Sequence, residues 1–321
     1  MNHPPGWFFF MTFCDIKIGH STSYEYHTGC TVFLCPEGTV GGVDIRGPAP
    51  GSRETVLLNV DKPIKYVNAV VLSGGSAFGL AVADGVMRFL AEREIGHYTP
   101  IRPIPIVPAA IVYDLFFSRG QFTPNAEMGY EACASASTFD GAQGNVGAGA
   151  GVTVGKWAGF ESSMKGGFGV ASVNLNDLEI GAAAVVNCVG DVVNEDGSVL
   201  AGAQDDDGVW MVHGDPYRRF PDRPPANLGT NTTLVVVATN APLDKVATNR
   251  LAQRAHDGMA MAIRPVHTTH DGDTAFALAT ATIEPVPFDV VANIAVEVVA
   301  EAIRNGVRYA TTVGGVRGLA G

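Results

Sequence analysis

Strand-like and helix-like segments alternate along the 321 residues of the chain, and this alternation predicts a mixed α/β (α+β) fold. Composition points the same way. Hydrophobic residues make up 46% of the chain and charged residues 17%, so most of it should be packed. Glycine is frequent, at 39 residues. Many lie in short apolar runs such as Gly147-Ala148-Gly149-Ala150-Gly151, where small residues let backbones approach closely or line a site. No internal repeat is evident.

The elements follow in order. Thr31 to Leu34 and Ala69 to Leu72 read as strands, the second running into Ser73-Gly74-Gly75-Ser76. Ala77 to Glu94 then carries Phe78, Leu80, Ala81, Val86 and Leu90 at helical spacing, with Ser76 as its N-cap. Pro100 to Pro108 holds four prolines and cannot be regular helix. Ala109 to Tyr113 is strand-like, and Glu127 to Ser137 is helical. Phe168 to Leu175 and Leu178 to Val189 read as strands, the second buried on both faces. Asp191 to Gly208 is polar, and a linker over about 204–230 is rich in proline, arginine and aspartate; it is expected to be mobile. The last segment opens with the aliphatic strand Leu234 to Ala238. A helix at about Leu243 to Ala262, a loop and strand over Asp271 to Thr280, and a helix over Asp289 to Asn305 follow.

The net charge of −11 argues against nucleic acid as a partner. No apolar run is long enough to span a membrane. Trp7 to Phe13 lacks the basic flank and cleavage site of a signal peptide, so residues 1–14 read as an extension, with the fold beginning near Asp15. Five cysteines without a CxxC pair suit reduced thiols in the cytoplasm.

Several motifs fail on their details. Gly151 to Lys156 approaches a P-loop, but Ala150 and Trp157 stand where glycine and a magnesium-binding hydroxyl are required. Around Ser76, Phe78 replaces the last glycine of a nucleophile elbow. His267 and His270 beside two aspartates match no metal-binding spacing. The segment reads as a loop held by aspartate side chains, or as two carboxylates serving a nucleophile. Lys156 and Asn187 lie in apolar surroundings, where a lysine needs a partner or a lowered pKa and an asparagine amide can serve an oxyanion. Thr232 at the mouth of a buried strand is an ordinary start residue. It is also where a self-cutting hydrolase would place its nucleophile, because a new N-terminal Thr gains an α-amine base of pKa about 7.7–8.0.

Further stretches stand in order along the chain: Ile18-Gly19-His20, Thr28-Gly29-Cys30-Thr31, Gly42-Val43-Asp44-Ile45-Arg46-Gly47, Leu72 through Leu80, Val107-Pro108-Ala109-Ala110, Gly147-Ala148-Gly149, Asn231-Thr232-Thr233-Leu234 and His267 through Thr274. With them, the chain from about Asp15 onward resembles the L-aminopeptidase/D-esterase family, whose relatives include the β-aminopeptidases and the nylon-oligomer endo-hydrolase. The resemblance implies a four-layer αββα sandwich like that of N-terminal-nucleophile hydrolases, with different connectivity. It implies a precursor that cuts itself between Asn231 and Thr232 into an α fragment (15–231) and a β fragment (232–321) of one domain. It further implies Thr232 as nucleophile, Asp271 and Asp273 as its supporting acids, and Lys156, Asn187 and Tyr113 as site residues. No metal or organic cofactor is implied. The expected targets are amide bonds, and also ester bonds, of small peptides, β- or D-amino acid derivatives or ω-amino amides, and the expected assembly is a homo-oligomer of αβ units such as a tetramer. Two alternatives stay open, an acyltransferase like ornithine acetyltransferase and an uncleaved, non-catalytic relative. The proline-rich Tyr98 to Pro108 segment departs from the family and is expected to reshape the pocket mouth.

Overall fold

In a computed structural model describing residues 13–138, 141–211 and 230–321, two five-stranded sheets stack face to face between two pairs of helices. We number the strands of these sheets β1 (Lys17–Ser23), β2 (Thr28–Leu34), β3 (Val40–Ile45), β4 (Ser52–Arg53), β5 (Ala69–Ser73), β6 (Ala109–Ile111), β7 (Phe168–Leu175), β8 (Leu178–Asn187), β9 (Thr232–Thr239) and β10 (Thr274–Ala279). The first sheet has the order β1-β2-β5-β6-β4 and the second β3-β10-β9-β8-β7. The main helices are α1 (Val82–Ala91), α2 (Ala126–Ser135), α3 (Lys245–Ala262) and α4 (Phe288–Arg308).

Strand β9 shows how the layers are bound together. Its alternate residues Leu234, Val236 and Ala238 pack between the sheets against Phe33, Val70, Leu72 and Phe276. Val235 and Val237 point the other way, toward Leu251, Ala255 and Met259 of α3 and Val299 and Ala302 of α4. A period of two with both faces buried yields the continuous aliphatic run seen in the sequence. Helix α3 starts where the Asp244 side chain accepts from the Ala247 amide at 2.8 Å. Helices α1 and α2 cover the other face of the first sheet through Val82, Val86, Phe89, Met128 and Ala132. No helix among the described residues is long and apolar enough to cross a membrane.

Several expectations change. Phe13 and Cys14 are not an extension: both are buried in the core between the sheets, so the fold begins at least two residues before Asp15. The segment Ser76–Ala81 is a 3-10 turn ahead of α1, and Phe78 is 70% exposed. Gly75 rather than Ser76 stands at its N-cap, without a side-chain bond, because Ser76 itself has φ +54°. The polar Asp191–Gly208 stretch contains two short strands, Asp191–Val193 and Val199–Ala201. The linker is folded at its start: Gln204 N–H bonds the Ser162 carbonyl and Met211 N–H that of Ala203. The rest of it, 212–229, lies outside the described residues, as do residues 1–12 of the expected extension. The Tyr98–Pro108 segment bonds Asn68 and Glu54 and leaves Tyr98 and Ile101 in solvent. All five cysteines are free thiols.

Candidate active site

Strands β9 and β10 are parallel, in register Leu234↔Thr274, so their N-terminal ends lie side by side. Antiparallel β8 brings its C-terminal end to the same edge, with Asn187 directly opposite Thr232. Thus Thr232, Asn187 and the Asp271–Asp273 loop converge because of strand direction alone. Asn231 and Thr232 are 2% and 4% exposed.

Asn187 is fully bonded. Its Oδ1 accepts from Lys156 Nζ at 2.7 Å and from the Thr153 amide at 3.1 Å. Its Nδ2 donates to the carbonyls of Tyr113 at 3.1 Å and Thr230 at 3.2 Å. Lys156 Nζ also donates to the Asn187 carbonyl at 3.0 Å. The lysine is aimed inward by Gly155, which has φ +72° and no room for a Cβ against Ala203 N. The following turn is pinned by Trp157 Nε1 donating to Asp191 at 2.9 Å. Burial pulls the Lys156 ammonium down to about 7, against the opposing pull of nearby groups that include Asp271.

The two aspartates are tied differently. Asp271 accepts from the Thr268 hydroxyl at 2.6 Å and the Thr268 amide at 2.9 Å, and more weakly from the Val189 amide at 3.5 Å. Burial, reinforced by neighbouring Asp273, pushes its carboxyl up to about 6. Asp273 accepts from the Thr233 amide at 2.6 Å through one oxygen. Its other oxygen takes both the amide and Nδ1 of His267, at 3.1 and 2.8 Å. His267 holds this pose at φ +55° with its ring edge-on to that of His256. The loop is therefore held by aspartate side chains, and the same carboxylates flank the nucleophile candidate. Among the described residues no group of three or more His, Cys, Asp or Glu is arranged to hold a metal.

The carbonyl of Asn231, next to Thr232, accepts two hydrogen bonds. Thr232 Oγ1 lies 2.5 Å from its oxygen, and the Gly272 amide donates to that oxygen at 2.9 Å. All seven residues singled out in the sequence thus meet in one place, with one difference. Tyr113 contributes its main-chain carbonyl to Asn187, while its ring packs on Phe116. Sequence reasoning missed His267 as the partner of Asp273, and also the backbone donor at Gly272. The first could have been found by asking what satisfies a buried carboxylate in the same turn. A main-chain N–H has no sequence signal.

The profile described as Peptidase family S58 matches residues 13–320. An uncharacterised aminopeptidase of Mycobacterium leprae is 43% identical over 293 residues, covering 84% of this chain and 77% of that one. The 6-aminohexanoate-oligomer endohydrolase of Paenarthrobacter ureafaciens is 32% identical over 275 residues, covering 85% and 75%. Among solved structures, the L-aminopeptidase D-Ala-esterase/amidase of Ochrobactrum anthropi, described as a variant of the Ntn hydrolase fold, superposes with a TM-score of 0.73 at 21% identity over 95% of this chain and 87% of that one. A Burkholderia β-aminopeptidase gives 0.72 at 20% identity, over 99% and 93%. These two likenesses establish the fold.

Proposed function

The chain belongs to peptidase family S58, and from that premise we propose that it is a self-processing amide hydrolase whose nucleophile, Thr232, is released by cleavage after Asn231. One observation carries the reading: the Thr232 hydroxyl stands 2.5 Å from the oxygen of the peptide carbonyl it would attack, within a buried set of Lys156, Asn187, Asp271 and Asp273.

In the unbroken chain Thr232 Oγ1 adds to the Asn231 carbon. Lys156, poised near neutrality, takes the hydroxyl proton and returns it to the departing nitrogen. Water then splits the resulting ester. The new Thr232 α-amine becomes the base for turnover, steadied by Asp271 and Asp273. The Asn187 amide loses its Thr230 partner when the upstream arm swings away, and it then donates to the substrate oxyanion. The substrates are short peptides or related small amides. The named activities of the relatives support this class, and an aminopeptidase and an oligomer endohydrolase stand among them. We assign the working form as a homo-oligomer of cleaved αβ units. The five free thiols support a reducing, cytoplasmic setting.

Intact-mass measurement of the purified protein beside Thr232→Ala tests the reading. Two fragments, one ending at Asn231 and one starting at Thr232, are expected in the first and not in the second. A wild-type chain that stays whole on long incubation, or a Thr232→Ala chain that is cut and active, would overturn it.

A further inference from the structure

We infer that the backbone N–H of Gly272 is the oxyanion donor for self-cleavage, so that the Asp271-Gly272-Asp273 turn supplies a catalytic hydrogen bond between its two carboxylates. The inference rests on the proposed cut after Asn231 and adds the group that stabilises its transition state.

The geometry is specific to the susceptible bond. Asn231 pairs with Asp271 as an isolated parallel bridge, and Gly272 N–H meets the Asn231 oxygen at 2.9 Å. Asn187 cannot serve this carbonyl, because its amide is engaged one residue upstream, on Thr230, and on Tyr113. The turn is rigidly backed by the neighbouring loop. Ala49 N–H bonds the Asp271 carbonyl at 3.1 Å, and Arg46 and Gly47 N–H bond that of Asp273 at 3.1 and 3.2 Å. A Cβ at 272 would stand 2.8 Å from Thr232 Oγ1 and 2.6 Å from the Ala49 oxygen, so glycine is what lets the donor and the nucleophile share one carbonyl.

The chemistry balances around that oxygen. As Thr232 Oγ1 bonds to the Asn231 carbon, the carbonyl π pair moves onto oxygen, where Gly272 N–H meets it. Collapse breaks the Asn231–Thr232 C–N bond. The nitrogen leaves with that electron pair and takes the proton that Lys156 removed from the Thr232 hydroxyl, becoming the α-amine. Water then divides the ester into an Asn231 carboxylate and the Thr232 hydroxyl.

Replacing the amide by an ester removes the N–H alone. Chains carrying glycolic acid at position 272, made by cell-free translation, should cleave themselves about 10²–10³-fold more slowly than wild type. Glycolic acid at Gly315, where a Cβ would meet nothing within 4 Å, should leave the rate unchanged. Equal rates for the two esters would refute the inference while leaving the proposed function intact. A wild-type chain that never cuts would sink the proposed function itself. Amide hydrogen exchange in full-length Thr232→Ala gives a readout independent of the ester chain. The Gly272 amide, assigned from triple-resonance spectra, should be strongly protected. Exchange as fast as at an exposed loop would also refute the inference.

Discussion

Lys156 and Lys165 are both fully enclosed lysines whose ammonium groups burial pulls down to about 7. Each lies near a buried aspartate pushed up to about 6, Asp271 for the first and Asp114 for the second. By ionisation alone the two regions are twins. They differ in what their hydrogen bonds hold. Lys156 grips Asn187, the strand partner of Thr232. Lys165 caps two main-chain carbonyls, of Ala150 and Val152, at 3.0 and 2.8 Å. Asp114 ties the Thr28 hydroxyl and the Gly75 amide together, both at 2.6 Å. A perturbed pKa thus reports burial in both places, and what sets Lys156 apart is its grip on the strand partner of Thr232.

The largest contrast is expected from the two lysines themselves. Lys156→Met should slow self-cleavage and turnover by about 10²–10⁴-fold, the range for a lost acid–base group. Lys165→Met should hold both rates within tenfold while lowering the melting temperature, since two buried carbonyls lose their donor at about 1–3 kcal/mol each. Cleavage time courses and thermal melts on both variants decide it, and a rate collapse in Lys165→Met would erase the distinction. Next comes pH. Self-cleavage should climb as pH rises through about 7, where Lys156 becomes a free amine and Asp271 is already ionised above about 6.

Both lysines should also mark stability. Between about 7 and 10.5 the unfolded chain binds protons that the folded chain has released. Stability of the uncut Thr232→Ala protein therefore rises with pH from 7 to 8.5, and Lys165→Met should flatten part of the rise in a series of melts. A flat profile in the parent would contradict the shared burial effect. The smallest effect belongs to His267→Gly. It suits the backbone at φ +55° and keeps the amide, but it removes the Nδ1 bond to Asp273. Loss of about tenfold in kcat with a small fall in melting temperature is expected, since Asp273 keeps the Thr233 and residue-267 amides. An unaltered kcat would show that Asp273 needs no second anchor.

Much of the second sheet was legible. Leu234 to Ala238, Leu178 to Val189 and the amphipathic stretch ending at Ala262 carry strong periodicity, because both of their faces or one wide stripe meet a core. Strands β1 (Lys-Ile-Gly-His-Ser-Thr-Ser) and β3 (Val-Gly-Gly-Val-Asp-Ile) were not, since glycine and polar residues dilute the alternation. In β3 the glycines are there for packing: a Cβ on Gly42 would stand 2.7 Å from the Thr248 backbone in α3. The candidate site was legible at Thr232, Lys156, Asn187, Asp271 and Asp273, whose side chains meet there, but not at His267, whose imidazole the turn brings onto Asp273. Where a main-chain group makes the contact, as at Tyr113 and Gly272, residue identity carries no trace of it. Phe13 and Cys14 were misjudged because an aromatic run beside the N-terminus looks the same whether it is trailing or tucked between sheets.

The strand order has a consequence for the cleavage we propose. In β3-β10-β9-β8-β7, the two strands that follow Thr232 are enclosed on both sides by strands that precede it. A break after Asn231 is therefore a nick inside a shared sheet rather than a division into parts. The two pieces would have to tear the β8–β9 and β3–β10 ladders to separate. They should elute together in gel filtration, melt in a single transition, and come apart only when the whole molecule unfolds.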